Sequence, residues 1–100
     1  MKVENIVNSK GNTVANQFII RDRDCDSWET RVFQSYYSKI ATISFGLKGD
    51  KLSLKGKMWD YSNTTRKYFK IFINEETPFT YENRAQWLKE IENNNNIEVV

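Results

Sequence analysis

The apolar residues of this chain change their spacing once. Up to about residue 59 they recur at alternate positions, and from residue 62 onward they recur three and four apart. Neighbours on a strand point to opposite faces, whereas neighbours on a helix face lie three and four residues on. A chain with one such switch builds a sheet from its first half and lays helices on it from its second. The expected fold is therefore α+β: an antiparallel sheet of three to four strands followed by two helices packed on one face, in a single domain covering residues 1–100.

Within the first half, residues 1 to 13 are polar and carry a turn signal in "SKGN". "VANQFII" (14 to 20) is short, β-branched and aromatic, and predicts a strand. "RDRDCDS" (21 to 27) predicts a charged turn. "WETRVFQSY" (28 to 36) predicts the second strand of a hairpin, with Trp28, Thr30 and Val32 on one side and Arg31 and Phe33 on the other. "SKIATISFGL" (38 to 47) sets Ala41, Ile43, Phe45 and Leu47 on one apolar face. After the turn "KGD", "KLSLKGKMW" (51 to 59) predicts a fourth strand, with Gly56 marking a bulge.

In the second half, Thr65, Tyr68, Phe69, Phe72 and Ile73 form the stripe of an amphipathic helix, preferred over the strand that "YFKIFI" would also allow. Asp60 or Ser62 supplies its N-cap. Residues 80 to 92 predict a second helix with Thr80 as N-cap and a stripe of Tyr81, Ala85 and Leu88, widened by Trp87 and Ile91. The run Asn93 to Asn96 ends it, and "IEVV" is either a short last strand or a frayed tail.

Composition removes several functional classes. There is no histidine, so the commonest general base and the commonest metal ligand are missing. A single cysteine, Cys25, allows no internal disulfide and fits a reducing compartment. Its acidic neighbours raise rather than lower a thiol pKa, so no reactive thiolate is expected there. The N-terminus lacks the apolar core of a signal peptide, and no apolar run approaches the ~18 residues that span a bilayer. The expected location is the cytoplasm. No glycine-rich phosphate loop and no paired carboxylates mark an enzyme, and no cofactor or metal is expected.

Charge is unevenly spread. Residues 1–47 hold six basic and five acidic side chains (net +1), residues 48–74 seven and two (net +5), and residues 75–100 two and six (net −4). An acidic partner would meet the middle block, and a basic partner the acidic segments. Asp22, Asp24 and Asp26 alternate as the first ligands of an EF-hand loop do. The sixth and twelfth positions of that loop would be Ser27 and Phe33 rather than glycine and glutamate, so the pattern fails. With Trp28 and Glu29, these aspartates are instead candidate contacts for a basic protein groove. The middle block interleaves basic and aromatic residues. Lys57, Trp59, Arg66, Lys67 and Lys70 are the candidates for nucleic-acid binding, although no RNA-recognition signature is present.

The stretch "WDYSNTTRKY" (59 to 68) concentrates hydroxyl groups where the first helix begins. Free N–H groups there bind either a capping side chain or a phosphate, with Arg66 and Lys67 one turn on. Asp60 would repel an anion, so capping is the preferred reading.

"FQSYYSKIA" (33 to 41) and "WDYSNTTRKY" together resemble a family of small uncharacterised proteins from phages and prophages of low-GC Gram-positive bacteria. The resemblance rests on Phe33, Gln34, Ser35, Tyr36, Ser38, Ile40 and Ala41, then on Trp59, Asp60, Tyr61, Ser62, Thr64, Thr65, Lys67 and Tyr68. It implies a phage accessory protein in the host cytoplasm that binds and inhibits a host defence protein, such as a CRISPR effector. The alternative is a small nucleic-acid-binding phage protein that uses residues 48–70.

Overall fold

The structure, a computed structural model, describes residues 1–25 and 28–100. It is α+β, with six strands rather than three or four. They are β1 (Lys2–Val7), β2 (Thr13–Cys25), β3 (Trp28–Ser35), β4 (Ser38–Phe45), β5 (Lys51–Leu54) and β6 (Ile97–Val99). A single 3-10 turn (Met58–Asp60), α1 (Asn63–Glu76) and α2 (Arg84–Asn93) separate β5 from β6.

The strands lie in chain order across one sheet. β1 to β5 form an antiparallel meander. β6 returns after both helices and pairs with β5 in parallel, so the sheet is mixed and not purely antiparallel. "IEVV" is thus a strand, joined to β5 by Leu52 N–H to Asn96 O (2.9 Å) and Val100 N–H to Leu54 O (2.9 Å).

Two expected irregular segments are strands. Residues 2–7 form β1, where only Ile6 is buried. β2 runs through "RDRDC" instead of turning at Arg21, because Arg21 faces the covered side of the sheet and finds carboxylates there. Asp26 lies outside the described residues. In contrast, β5 ends at Leu54, and Gly56 sits in a turn with φ +53° rather than in a strand bulge.

The register gives each face its composition. On the covered face one row runs Ile19, Phe33, Ala41, Leu54, and the next runs Arg21, Arg31, Ile43, Leu52, Ile97. A bulge in β4 skips Ile40, which lets Ile40 and Ala41 both be buried. The other face carries Val3, Ile20, Val32, Thr42 and Ser53 in one row, all half-buried or exposed.

α1 is a helix, as its stripe predicts. Thr65, Tyr68, Phe69, Phe72 and Ile73 are all buried. Ser62 is the N-cap, and its Oγ accepts from Thr65 N–H at 3.1 Å. At the other end, Arg31 Nη1 donates to Glu76 O at 3.1 Å and Thr77 Oγ1 donates to Ile73 O at 2.7 Å, so carbonyls of the last turn have partners.

α2 begins later than residue 80, with Asn83 as N-cap in place of Thr80. Gln86 N–H donates to Asn83 Oδ1 at 2.8 Å, and Gln86 Oε1 accepts from Glu82 N–H at 2.8 Å. This is a near relative of the capping box, and the spacing Asn83–Gln86 carries its signature. Its stripe is also narrower than expected: Trp87 is buried, whereas Ala85 and Leu88 are exposed. Asn74 explains the delayed start. Its side chain donates to Tyr81 O and accepts from Tyr81 N–H, at 2.9 and 2.8 Å, which holds that segment out of the helix, with the Tyr81 ring buried in the core.

The core between sheet and helices is largely aromatic. Phe69 lies 5.7 Å from Trp59, 5.7 Å from Trp87, 6.1 Å from Tyr81 and 6.2 Å from Phe33, ring centre to ring centre. Most of these contacts are tilted or edge-on, which suits the ring quadrupoles.

Candidate binding site

The β3–β4 connection is a two-residue loop, Tyr36 and Tyr37. Its first residue has φ +55°, as the first loop residue of a type II′ turn does, a position usually held by glycine. Tyr36 N–H donates to Asn16 O at 2.6 Å, and Asn16 itself has φ +63°. The loop therefore projects two tyrosines from the end of the sheet, 55% and 98% exposed.

The start of α1 faces this loop. Between them lies a cavity of about 560 Å³ lined by Ser35, Tyr36, Ser38, Ile40, Met58, Tyr61, Ser62, Thr64 and Thr65. That volume falls within the range of ~300–1,000 Å³ typical of ligand pockets. Eight of the nine lining residues come from the stretches 33–41 and 59–68, so the fold brings together the two segments that carry the resemblance. Seven of the nine bear hydroxyls and none is charged; Ile40 and Met58 are the apolar members. Tyr61 is 83% exposed.

The charges beside the cavity are committed to one another. Arg66 Nη1 donates to Asp60 Oδ1 at 2.6 Å, and Arg66 also donates to Asn63 Oδ1. Arg84 contacts both Asp60 oxygens, with Nη2 to Oδ2 at 2.7 Å. The Arg84 hydrogen bond leads the causes that hold the Asp60 carboxyl down at about 2; partial burial opposes it and Arg66 reinforces it. The hydroxyl-rich stretch therefore starts a helix with Ser62 as its cap. Asp60 is not the cap but the clasp between α1 and the residue that opens α2.

This clasp has a pH signature. A carboxyl whose folded-state pKa is depressed adds stability above its unfolded-state value, and that contribution is lost as pH falls through the folded-state value. Asp60→Asn is expected to cost about 1 kcal/mol at neutral pH, after allowance for solvent screening. It should also flatten the acid-unfolding profile between about pH 4 and pH 2. A variant whose profile stays as steep as the parent's in that window would remove the clasp from the account.

The residues expected to contact a partner are not gathered in one patch. Asp22 is exposed on the uncovered face, with the N-terminal amine 4.0 Å away. Glu29 turns to the covered face and pairs with Arg31 at 2.9 Å. Trp28, 39% exposed, borders a shallow groove with Arg23, Phe45 and Leu47. For Asp24 only the backbone, in β2, is described. Among the described residues no cluster of three or more His, Cys, Asp or Glu is placed to hold a metal ion.

The candidates for nucleic-acid contact are also redistributed. Trp59 is 3% exposed and packs on Phe69, so it has no face free for a base. Arg66 is held by Asp60. Lys57, Lys67 and Lys70 are exposed; Lys67 lies over the Tyr68 ring and Lys70 donates to Glu82 O at 3.0 Å. The exposed aromatics at this end are Tyr36, Tyr37 and Tyr61 instead. The signal for them lay in "SYYS" and "DYSNTT", where tyrosines sit among residues too polar to seek the core.

Residues 1–94 match the family of unknown function DUF8033, and the chain belongs to that family. No curated protein and no solved structure matches the chain. Among the described residues no helix is long and apolar enough to cross a membrane.

Proposed function

We propose that this member of a family of unknown function is a phage accessory protein that works by occupying a host protein in the host cytoplasm, not by turnover. The target class, a defence protein such as a CRISPR effector, follows from the resemblance of residues 33–41 and 59–68 to small phage and prophage proteins. The observation that carries the binding reading is an uncharged cavity lined by Tyr36 and Tyr61, with Tyr37 next in the chain, the three rings at 55, 83 and 98% exposure. Tyrosine is a preferred anchor in protein interfaces because it brings a large, stiff, amphipathic surface at low entropic cost. The cavity hydroxyls have no lining base or acid to activate them, which favours binding over catalysis. The contact surface accordingly moves from the acidic hairpin to the tyrosine end.

A second reading has its own observation. Lys39 and Lys57 are exposed and adjoin the lining residues Ser38 and Met58. Tyrosines beside lysines also suit a single nucleic-acid strand.

Capture of partners by the tagged chain from a Gram-positive host lysate, with and without nuclease, separates the two. The expected result is a protein partner that survives nuclease and is captured about tenfold less well by Tyr37→Ala/Tyr61→Ala, the loss of roughly one anchor. Recovery of nucleic acid alone, abolished by nuclease and by rising salt, would overturn the protein-binding reading.

A further inference from the structure

Resting on the protein-binding reading, we infer that the cavity between the β3–β4 loop and the start of α1 takes an extended, proline-bearing segment of the partner, in polyproline II conformation. The walls come from different elements. Tyr36 stands on the hairpin loop and Tyr61 on the approach to α1, with Ile40 and Met58 as the apolar surface between hydroxyls. A proline ring is an apolar body of the right size to sit between two aromatic rings, and a polyproline II backbone leaves its carbonyls without internal partners. Ser62 already donates its hydroxyl to Thr65 Oγ1 at 3.1 Å, and the other six hydroxyls around this cavity are the donors those carbonyls need.

Other peptide-binding modes fit the place poorly. Strand addition needs a free sheet edge, but β3 and β4 are interior strands, paired on both sides and joined here by their own turn. An amphipathic helix needs a long apolar groove, and only two of the nine lining residues are aliphatic or thioether. A charged side chain or phosphate finds no counter-charge in the lining, and the nearby Arg66 and Arg84 are already shared by Asp60. Proline-rich segments are recognised in aromatic-lined grooves by shape and by donated hydrogen bonds, without charge and without ordering a flexible chain.

The test is a titration of the isotopically labelled full chain, followed by backbone amide shifts. The probes are a polyproline peptide of about ten residues, a glycine–serine peptide of equal length, and an oligothymidylate. The polyproline peptide is expected to move the amides of Tyr36, Ser38, Tyr61 and Thr64 and to leave Val3 and Val32 in place. Tyr61→Ala should weaken that binding about tenfold with its unfolding midpoint unchanged, since the ring is exposed. No shift with polyproline, equal shifts with the glycine–serine peptide, or shifts confined to the other end of the sheet would each overturn the inference. If polyproline has no effect while Tyr61→Ala still loses the captured partner, the inference fails and the protein-binding reading stands. If oligothymidylate alone moves these amides, both fail.

Discussion

Phe69→Ala is expected to remove about 3–5 kcal/mol of stability, the largest effect of any single truncation in this chain. Phe69 is fully buried and packs near rings from four separate segments: Phe33 of β3, Trp59 of the 3-10 turn, Tyr81 of the linker and Trp87 of α2. Two of those neighbours, Trp87 and Phe33, are themselves at 0% exposure, so the walls of the resulting cavity cannot turn to solvent or easily collapse. A domain of this size has a total stability on the order of 5–15 kcal/mol, and near the lower end the variant would be largely unfolded at room temperature. Urea denaturation read by tryptophan fluorescence gives the measurement, with a lowered midpoint and an unchanged slope as the expected pair. A loss under about 1 kcal/mol would mean that the aromatic cluster repacks freely and that Phe69 is not its centre.

Glu76→Ala should cost roughly 2 kcal/mol, although it removes a residue at the end of a helix. Its carboxylate, 9% exposed, lies 2.6 Å from Arg21 and 3.8 Å from Arg31. Both arginines stand on the covered face of the sheet among strands whose other inward residues are mainly apolar. Removing the acid leaves two cations with reduced compensation. The full penalty for such a break is ~3–5 kcal/mol, but these arginines are about a quarter exposed and retain water and other acids, which lowers it. Glu4→Ala, whose partner contact with Arg21 is longer at 3.4 Å and whose side chain is 37% exposed, should cost distinctly less than Glu76→Ala. The ordering of the two losses is the decisive readout. Equal effects would mean that burial of Glu76 contributes nothing beyond a surface pair.

These charges also explain why the sheet was only partly legible in the sequence. The rule that strands alternate apolar and polar residues identified β3, β4 and the start of β2, where Phe33, Ala41, Ile43 and Ile19 point inward. It failed at "RDRDC" because the inward residue there is Arg21, and an inward arginine is only sensible once Glu4 and Glu76 have been brought to it. β1 was hidden for a similar reason, since Ile6 is its one buried residue. α1 was readable from its stripe alone. α2 was readable as an element but not in its facing: Trp87 decides the packing, and Leu88, the residue that local pattern favoured, is 41% exposed. The site was least legible of all. Its hydroxyls are spread over two stretches some twenty residues apart, and only the approach of the hairpin loop to α1 makes a cavity of them.

The positive φ at Tyr36 separates what the fold needs at this position from what the side chain adds. A tyrosine there holds a conformation that glycine would adopt without steric penalty, in a loop exposed enough to accept almost any side chain. For folding alone, this is a position where drift toward glycine or asparagine should be the easy direction. On folding grounds alone Tyr36→Gly should therefore be tolerated, because the ring adds to the exposed surface beside the cavity and not to the core.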